Sequence, residues 1–229
     1  ANRVLLGVVT VKRLLMSAYE TKISDIMETN VLSVTTHEDK EDVAQMFSKY
    51  DLTALPVVDN EDRLVAFIGG AQIDPYGNVN STCIYGKGDY VKPMTRFTGS
   101  GGANGIATYC NTIIMMQHQK RRFMEHIDYI TSCGWMDGPG GREKVGLPGN
   151  RGPQMVVTDL GIMKFDEQTK RMYCAYMFPG VTPEIVQENT GFEIDCSKAE
   201  IFPDPDQEIL RIIREEIDPG QAFIKIPKE

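Results

Sequence analysis

Histidine is scarce in this 229-residue chain, and His37, His118 and His126 lack metal-ligand spacing, the closest two lying eight residues apart. They are expected to be solvated or structural, and no metal site is expected. The five cysteines, Cys83, Cys110, Cys133, Cys174 and Cys196, are odd in number, far apart and contain no Cys-x-x-Cys pair. No such pair is there to form a zinc knuckle or redox site, and the cysteines read as reduced thiols in a cytoplasmic protein. Long apolar runs are missing too. The longest near the start, residues 4–11, ends at Lys12 and Arg13, far short of the roughly 20 residues a bilayer requires. No basic segment beyond Arg3 precedes it and no small-x-small site follows it, so neither a signal peptide nor a membrane span is expected. Positive charge is in deficit, with a net charge of −8 and a pI near 5.0, which argues against nucleic acid as a partner.

Glycine and proline are almost absent from the first part. Gly7 is the single glycine and Pro56 the single proline before Ala66, whereas 20 of 21 glycines and 11 of 12 prolines follow. These residues mark turns and close backbone approaches, so the shift implies two structural styles meeting near Val65 and Ala66. Residues 1–65 and 66–229 are the expected domains.

In the first part, residues 4–10 form a β-branched run and 12–19 have helical composition. A strand is expected over 30–34. Thr36 then caps a helix with Glu38, Asp39, Glu41 and Asp42 in its first turns and an apolar face of Val43, Met46, Phe47 and Tyr50. Strands over 54–58 and 64–68 flank a turn at 59–62. In the second part, strands are expected over 112–116, 127–131 and 155–158, with a hairpin of 162–165 and 172–177. Thr182, Pro183 and Glu184 give a cap, first-turn proline and acid in helix-start order, with Gly191 as the stop. A last helix over 206–217 is expected to bury Ile209, Leu210, Ile213 and Ile217.

The order strand, helix, strand, strand, with Gly7-Val8-Val9-Thr10, Ile23-Ser24-Asp25-Ile26-Met27 and Leu55-Pro56-Val57-Val58-Asp59, resembles a CBS module of the cytosolic region of MgtE-class magnesium transporters. The resemblance implies a partial CBS βαββ unit, and CBS modules often bind adenosine nucleotides through Gly-x-x-Thr-x-x-Asp. Gly7 and Thr10 match, but Arg13 stands at the Asp position. The acids Glu38, Asp39, Glu41 and Asp42 fit either a Mg²⁺ site or a solvated, dipole-compatible helix start.

From Ala66 onward the chain resembles the second, or B-type, subunit of glutaconate-type CoA-transferases. The resemblance is carried by Gly69-Gly70-Ala71-Gln72-Ile73-Asp74, Gly77-Asn78-Val79-Asn80, Gly99-Ser100-Gly101-Gly102-Ala103-Asn104-Gly105, Gly138-Pro139-Gly140-Gly141-Arg142 and Asp218-Pro219-Gly220. It implies an α/β domain with an open sheet, CoA as substrate rather than cofactor, and an acyl-CoA and a small dicarboxylic acid such as glutaconate as ligands. An A-type subunit and an oligomeric assembly are also implied.

The chemistry needs a carboxylate nucleophile and N–H donors for a developing oxyanion. Gly99, Ser100, Gly101, Gly102, Ala103 and Asn104 are expected to bind CoA or the oxyanion, because consecutive glycines can expose N–H groups as an anion-binding nest. A helix beginning at 106–109 could add positive potential. Arg142, with Glu143 beside it, either positions a substrate carboxylate by a bidentate contact or forms a surface ion pair at a subunit contact. The family's nucleophilic glutamate is placed upstream of the Gly-Gly-Ala-Gln-Ile-Asp strand, where the CBS-like piece stands here. Glu188 does not inherit its role, and Asp74 and Asp137 are expected to fix turns and loops. No catalytic residue is assigned, and the chain alone is expected to be inactive. The alternatives are a CBS-type regulatory module binding Mg²⁺ or an adenosine nucleotide, and a recombinant chimera without selected function.

Overall fold

The computed structural model describes residues 5–9, 11–29, 33–35, 57–58, 65–217 and 219–220. The acidic run Glu38 to Asp42, the helix expected after Thr36 and the turn at 59–62 lie outside the described residues.

Six strands form an open mixed sheet whose spatial order follows the chain: β1 (Val65–Ile68), β2 (Asn111–Met115), β3 (Pro153–Val157), β4 (Gly161–Phe165), β5 (Met172–Met177) and β6 (Glu200–Ile201). The pairs β1/β2, β2/β3 and β5/β6 are parallel, while β4 runs antiparallel to both β3 and β5. The parallel steps require long crossovers, and the one between β1 and β2 carries the glycine-rich segment. The expected hairpin forms between β4 and β5. Asp166 Oδ1 accepts from the N–H groups of Gln168 and Thr169 at 3.0 and 2.7 Å, and Lys170 takes a positive φ of 58°.

Val65 faces Asn111 and Ala66 faces Thr112 in one parallel ladder, so the expected join falls inside edge strand β1. Upstream, Val34–Thr35 pairs in parallel with Val57–Val58. The helix expected near residue 12 forms over Val11–Met16. The β-branched run before it makes no strand in the described residues 5–9; its pairing is a single bridge in which Val8 and Glu28 exchange N–H···O bonds of 3.0 and 2.9 Å.

The core gathers Ile68, Ile114, Val156, Met163, Met172, Cys174 and Met177 from the sheet with Ile73, Val79, Phe123, Val186, Phe192 and Ile194 from its flanks. Fully burying side chains such as Ile114 and Val156 stabilises by about 1.5–3 kcal/mol each. The helix Pro183–Glu188 starts as expected, with Thr182 Oγ1 accepting from Ile185 N–H at 3.4 Å. It ends at Asn189, before Gly191, which is instead needed where the chain crosses Phe123 O.

Two expectations fail for physical reasons. Residues 127–131 form no strand, because Thr131 and Ser132 direct their N–H groups to the one carbonyl of Val79 at 2.9 and 3.0 Å, so no ladder propagates. The C-terminal helix is α-helical only over Gln207–Arg211, then widens to a π-helical turn over Ile212–Ile217. Its apolar face is not buried: Ile209 is exposed, and Leu210 and Ile213 are only partly covered. Among the described residues, no helix is long and apolar enough to cross a membrane.

Candidate functional site

A cleft of about 670 Å³ opens beside the start of the glycine-rich turn. Its wall comprises Gly70, Ala71, Gln72, Ser81, Ile84, Met94, Thr95, Phe97, Thr98, Gly99, Arg121 and Arg122. Gln72 is buried and fixes the floor. Its Oε1 accepts from Asn80 Nδ2 at 2.6 Å and from Asp128 N–H at 3.1 Å, and its Nε2 donates to Asp128 Oδ2 at 3.0 Å. The small hairpin Cys83–Ile84 with Thr95–Arg96 supplies the outer wall. Its connecting loop is held by Tyr90 stacked on Tyr129 at 5.5 Å and by Arg96 over the Tyr90 ring at 4.8 Å.

The sequence-expected turn leads from this cleft into the helix Ala103–Tyr109. Gly99 and Gly101 take φ of +96° and +57°, conformations that exclude most side chains, and a Cβ at either would meet nothing within 4 Å. The N–H groups of Gly99, Ser100, Gly101 and Gly102 donate to no acceptor among the described residues. Two of the six expected residues differ. Ala103 N–H is committed to Ser100 O at 2.9 Å, and Asn104 Oδ1 accepts from Gly105 N–H at 2.7 Å, which turns that side chain into its own helix. Only Gly99 of the six lines the cleft.

Arg142 is not the expected substrate clamp, nor part of a surface ion pair. It is 1% exposed, and its five N–H directions meet five backbone carbonyls. Nε donates to Pro148 O at 2.8 Å, Nη1 to Gly134 O at 2.8 Å and Cys133 O at 3.3 Å, and Nη2 to Ala107 O at 3.1 Å and Thr108 O at 3.0 Å. No donor remains for a carboxylate. The last two acceptors are C-terminal carbonyls of the helix that follows the glycine turn, groups that an α-helix leaves without an internal partner.

Asp74 fixes a turn as expected: Oδ1 accepts from Tyr76 and Asn78 N–H at 2.9 Å each, and Oδ2 from Asn78 Nδ2 at 2.7 Å. Burial outweighs these bonds and pushes its carboxyl up to about 6. Asp137 is exposed and pairs with Lys144 at 3.3 Å, and Glu188 is exposed at the end of its helix. His118 is structural, stacked on Phe123 with ring centroids 3.9 Å apart and held between Thr158 Oγ1 and Thr190 Oγ1 at 3.3 and 2.9 Å. Burial lowers its imidazole to about 4. Among the described residues, no group of three or more His, Cys, Asp or Glu side chains is arranged to hold a metal ion.

Sequence reasoning missed Arg121 and Arg122. Gln119 Oε1 accepts from Arg121 Nε at 2.9 Å and from Arg122 Nε at 3.4 Å, and Arg122 Nη1 donates to Gly70 O at 3.3 Å. The available signal was two consecutive arginines in an acidic chain, but nothing in the spacing brings residue 121 to residues 70 and 99.

The sequence model of the coenzyme A transferase family matches residues 19–189, beginning upstream of the expected join. The chain is 70% identical over 168 residues to the B-type subunit of glutaconate CoA-transferase from Acidaminococcus fermentans, a match covering 73% of this chain and 62% of that protein. The chain thus spans under two thirds of that relative's length. The crystal structure of glutaconate coenzyme A-transferase from the same organism superposes with a TM-score of 0.69 at 63% identity, covering 82% of this chain and 67% of the other. Separately, the magnesium transporter MgtE of Thermus thermophilus is 41% identical over 62 residues, 27% of this chain and 14% of the transporter. By its match over most of its length, its mixed open sheet and its glycine-rich cleft, the chain belongs to the coenzyme A transferase family.

Proposed function

We propose that this chain is a B-type subunit that holds an acyl-CoA in the cleft beside Gly99, for CoA transfer to a small dicarboxylic acid of the glutaconate type. The carrying observation is the cleft itself: Gly99 stands in a wall whose described residues include no carboxylate, and the N–H groups of residues 99–102 meet no acceptor among the described residues. N–H donors of this kind stabilise charge developing on a thioester oxygen, most effectively where water is excluded. The likeness to the B-type subunit of glutaconate CoA-transferase supports the substrate class.

In the proposed reaction an enzyme carboxylate attacks the thioester carbon, the C–S bond breaks, and a mixed anhydride and CoA thiolate result. The thiolate then attacks the enzyme acyl carbon, releasing the first acid as its carboxylate and leaving CoA as a glutamyl thioester. The second acid reverses these steps. Among the described residues of the cleft wall no carboxylate offers this nucleophile; on this reading a partner subunit supplies it, and the chain by itself binds without turning over. An A-type subunit completes an oligomeric, cytoplasmic enzyme. Mixing the chain with an A-type subunit should give a co-eluting complex that retains acyl-CoA on gel filtration. Separate elution with no retained CoA ester would sink the proposal.

A second reading rests on the MgtE likeness: residues 1–65 are a partial CBS unit, joined to a transferase domain of residues 66–229. Arg13, at the position where a CBS signature has Asp, pairs with Glu28 at 3.2 Å and donates to Ile26 O at 3.3 Å, an engagement that disfavours ribose binding there. Calorimetric titration with Mg²⁺ and with an adenosine nucleotide tests this reading. Binding of either supports a regulatory role, and absence of heat at millimolar ligand removes it.

A further inference from the structure

We infer that Arg121 and Arg122 form an oxyanion-recognition site in the wall of this cleft, taking a carboxylate or phosphate group of the bound substrates. The inference rests on the reading of the cleft as the acyl-CoA site and adds the residues that recognise the charged end of a ligand.

Three observations carry it. First, the two guanidiniums are the only ionised groups among the described residues of the wall, in a chain of net charge −8. A purely cationic lining in an acidic protein concentrates positive potential where a low-dielectric wall focuses it. Second, the arginines are oriented but not neutralised. The single oxygen Gln119 Oε1 accepts both Nε–H groups, and Gln119 Nε2 in turn donates to Gln117 Oε1 at 3.4 Å, which fixes which end of the amide faces the arginines. Arg122 spends Nη1 on Gly70 O, while Arg122 Nη2 and both terminal nitrogens of Arg121 meet no acceptor among the described residues. Guanidinium forks of this kind match the two oxygens of a carboxylate or phosphate. Holding two like charges together is unfavourable, and an anion between them relieves it. Third, the backbone is tied down at this point, since Arg122 O accepts from Ile73 N–H at 2.7 Å, so the arginines stand on a core-anchored segment rather than a free loop.

The test is equilibrium binding to the full chain, with glutaconate, pentanoate and adenosine 3′,5′-bisphosphate as probes. The variants are Arg121→Gln, Arg122→Gln, their double variant, the charge-retaining Arg121→Lys, and Lys198→Gln, an exposed lysine outside the wall. Each arginine-to-glutamine change should weaken oxyanion binding about tenfold and the double variant about a hundredfold, the scale of one charge-assisted bond lost at each position. Arg121→Lys should recover part of the loss, and added salt should narrow the gap. Selective loss of glutaconate, with pentanoate unaffected, assigns the site to the acid's second carboxylate. Selective loss of the bisphosphate assigns it to CoA phosphate. Unaltered binding in the double variant, losses equal to those of Lys198→Gln, or no probe bound by the unaltered chain would each overturn the site. Oxyanion binding that persists in a chain unable to bind acyl-CoA would leave the site standing and remove the functional proposal instead.

Discussion

Arg142 closes the helix Ala103–Tyr109 by donating Nη2–H to Thr108 O at 3.0 Å, from a side chain thirty-four residues further along the chain. The same guanidinium holds Cys133, Gly134 and Pro148, so one buried cation ties the glycine turn's helix to two loops. Removing it strands five carbonyls that its N–H groups now satisfy. Arg142→Met is expected to cost about 3–5 kcal/mol, the range for breaking a buried, fully bonded charge. Arg142→Lys should cost nearly as much, because an ammonium has three donors and no fork. Denaturant titration of the full chain checks both. A loss under about 1 kcal/mol in either variant would mean that the network does not hold the helix.

The acid side of the stability profile should show two opposing titrations. His118 is lowered in the folded state to about 4 from 6.5, so its contribution is fully present above pH 6.5 and is lost as pH falls through about 4. A shift of this size corresponds to an effect on the order of 3 kcal/mol. Asp74 is raised to about 6 from 3.8, so its contribution is present below about pH 4 and is lost as pH rises through about 6. His118→Gln should therefore lie well below the unaltered chain in unfolding midpoint at pH 7.5, with the gap narrowing steadily towards pH 4. A gap that stays constant with pH would show that His118 does not titrate across folding.

Glycine positions should divide sharply by surroundings. A Cβ on Gly134 would fall on backbone atoms of Gly77 and Tyr76, which cannot move away, so Gly134→Ala should cost more than about 2 kcal/mol. Gly102 has φ −100° and open surroundings, with Ile106 Cδ1 at 3.9 Å, so Gly102→Ala should leave the stability within about 0.5 kcal/mol of the unaltered chain. Thermal unfolding of the two variants side by side checks the contrast.

Much of this organisation was legible in the sequence because it rests on local rules. The β4/β5 hairpin follows from Asp166 and its turn, and the Pro183–Glu188 helix from the order Thr182, Pro183, Glu184. The glycine turn was legible as a turn, through Gly99 and Gly101, whose positive φ glycine adopts readily. What escaped was long-range. Arg142 looks like a ligand-binding arginine until its five carbonyl partners are known, and these come from separated stretches of chain. Arg121 and Arg122 carry no motif, and their meeting with Gly70 and Gly99 brings the crossover between β2 and β3 against the one between β1 and β2. The strand expected at 127–131 fails for a like reason, since Val79 O takes both N–H groups that a ladder would share out.

On the proposed reading the chain binds an acyl-CoA against the Gly99 turn without completing transfer by itself. Its most direct test follows labelled acyl-CoA and a free dicarboxylate with the purified chain, alongside Gly99→Val, a β-branched residue at φ +96° in the cleft wall. Saturable acyl-CoA binding is expected, weakened about tenfold or more in the variant by loss of an oriented N–H donor. Transfer by the unaltered chain is expected far below the roughly 1 per second typical of enzymes. Equal binding by the two chains, or transfer by the unaltered chain alone at an enzymatic rate, would contradict it.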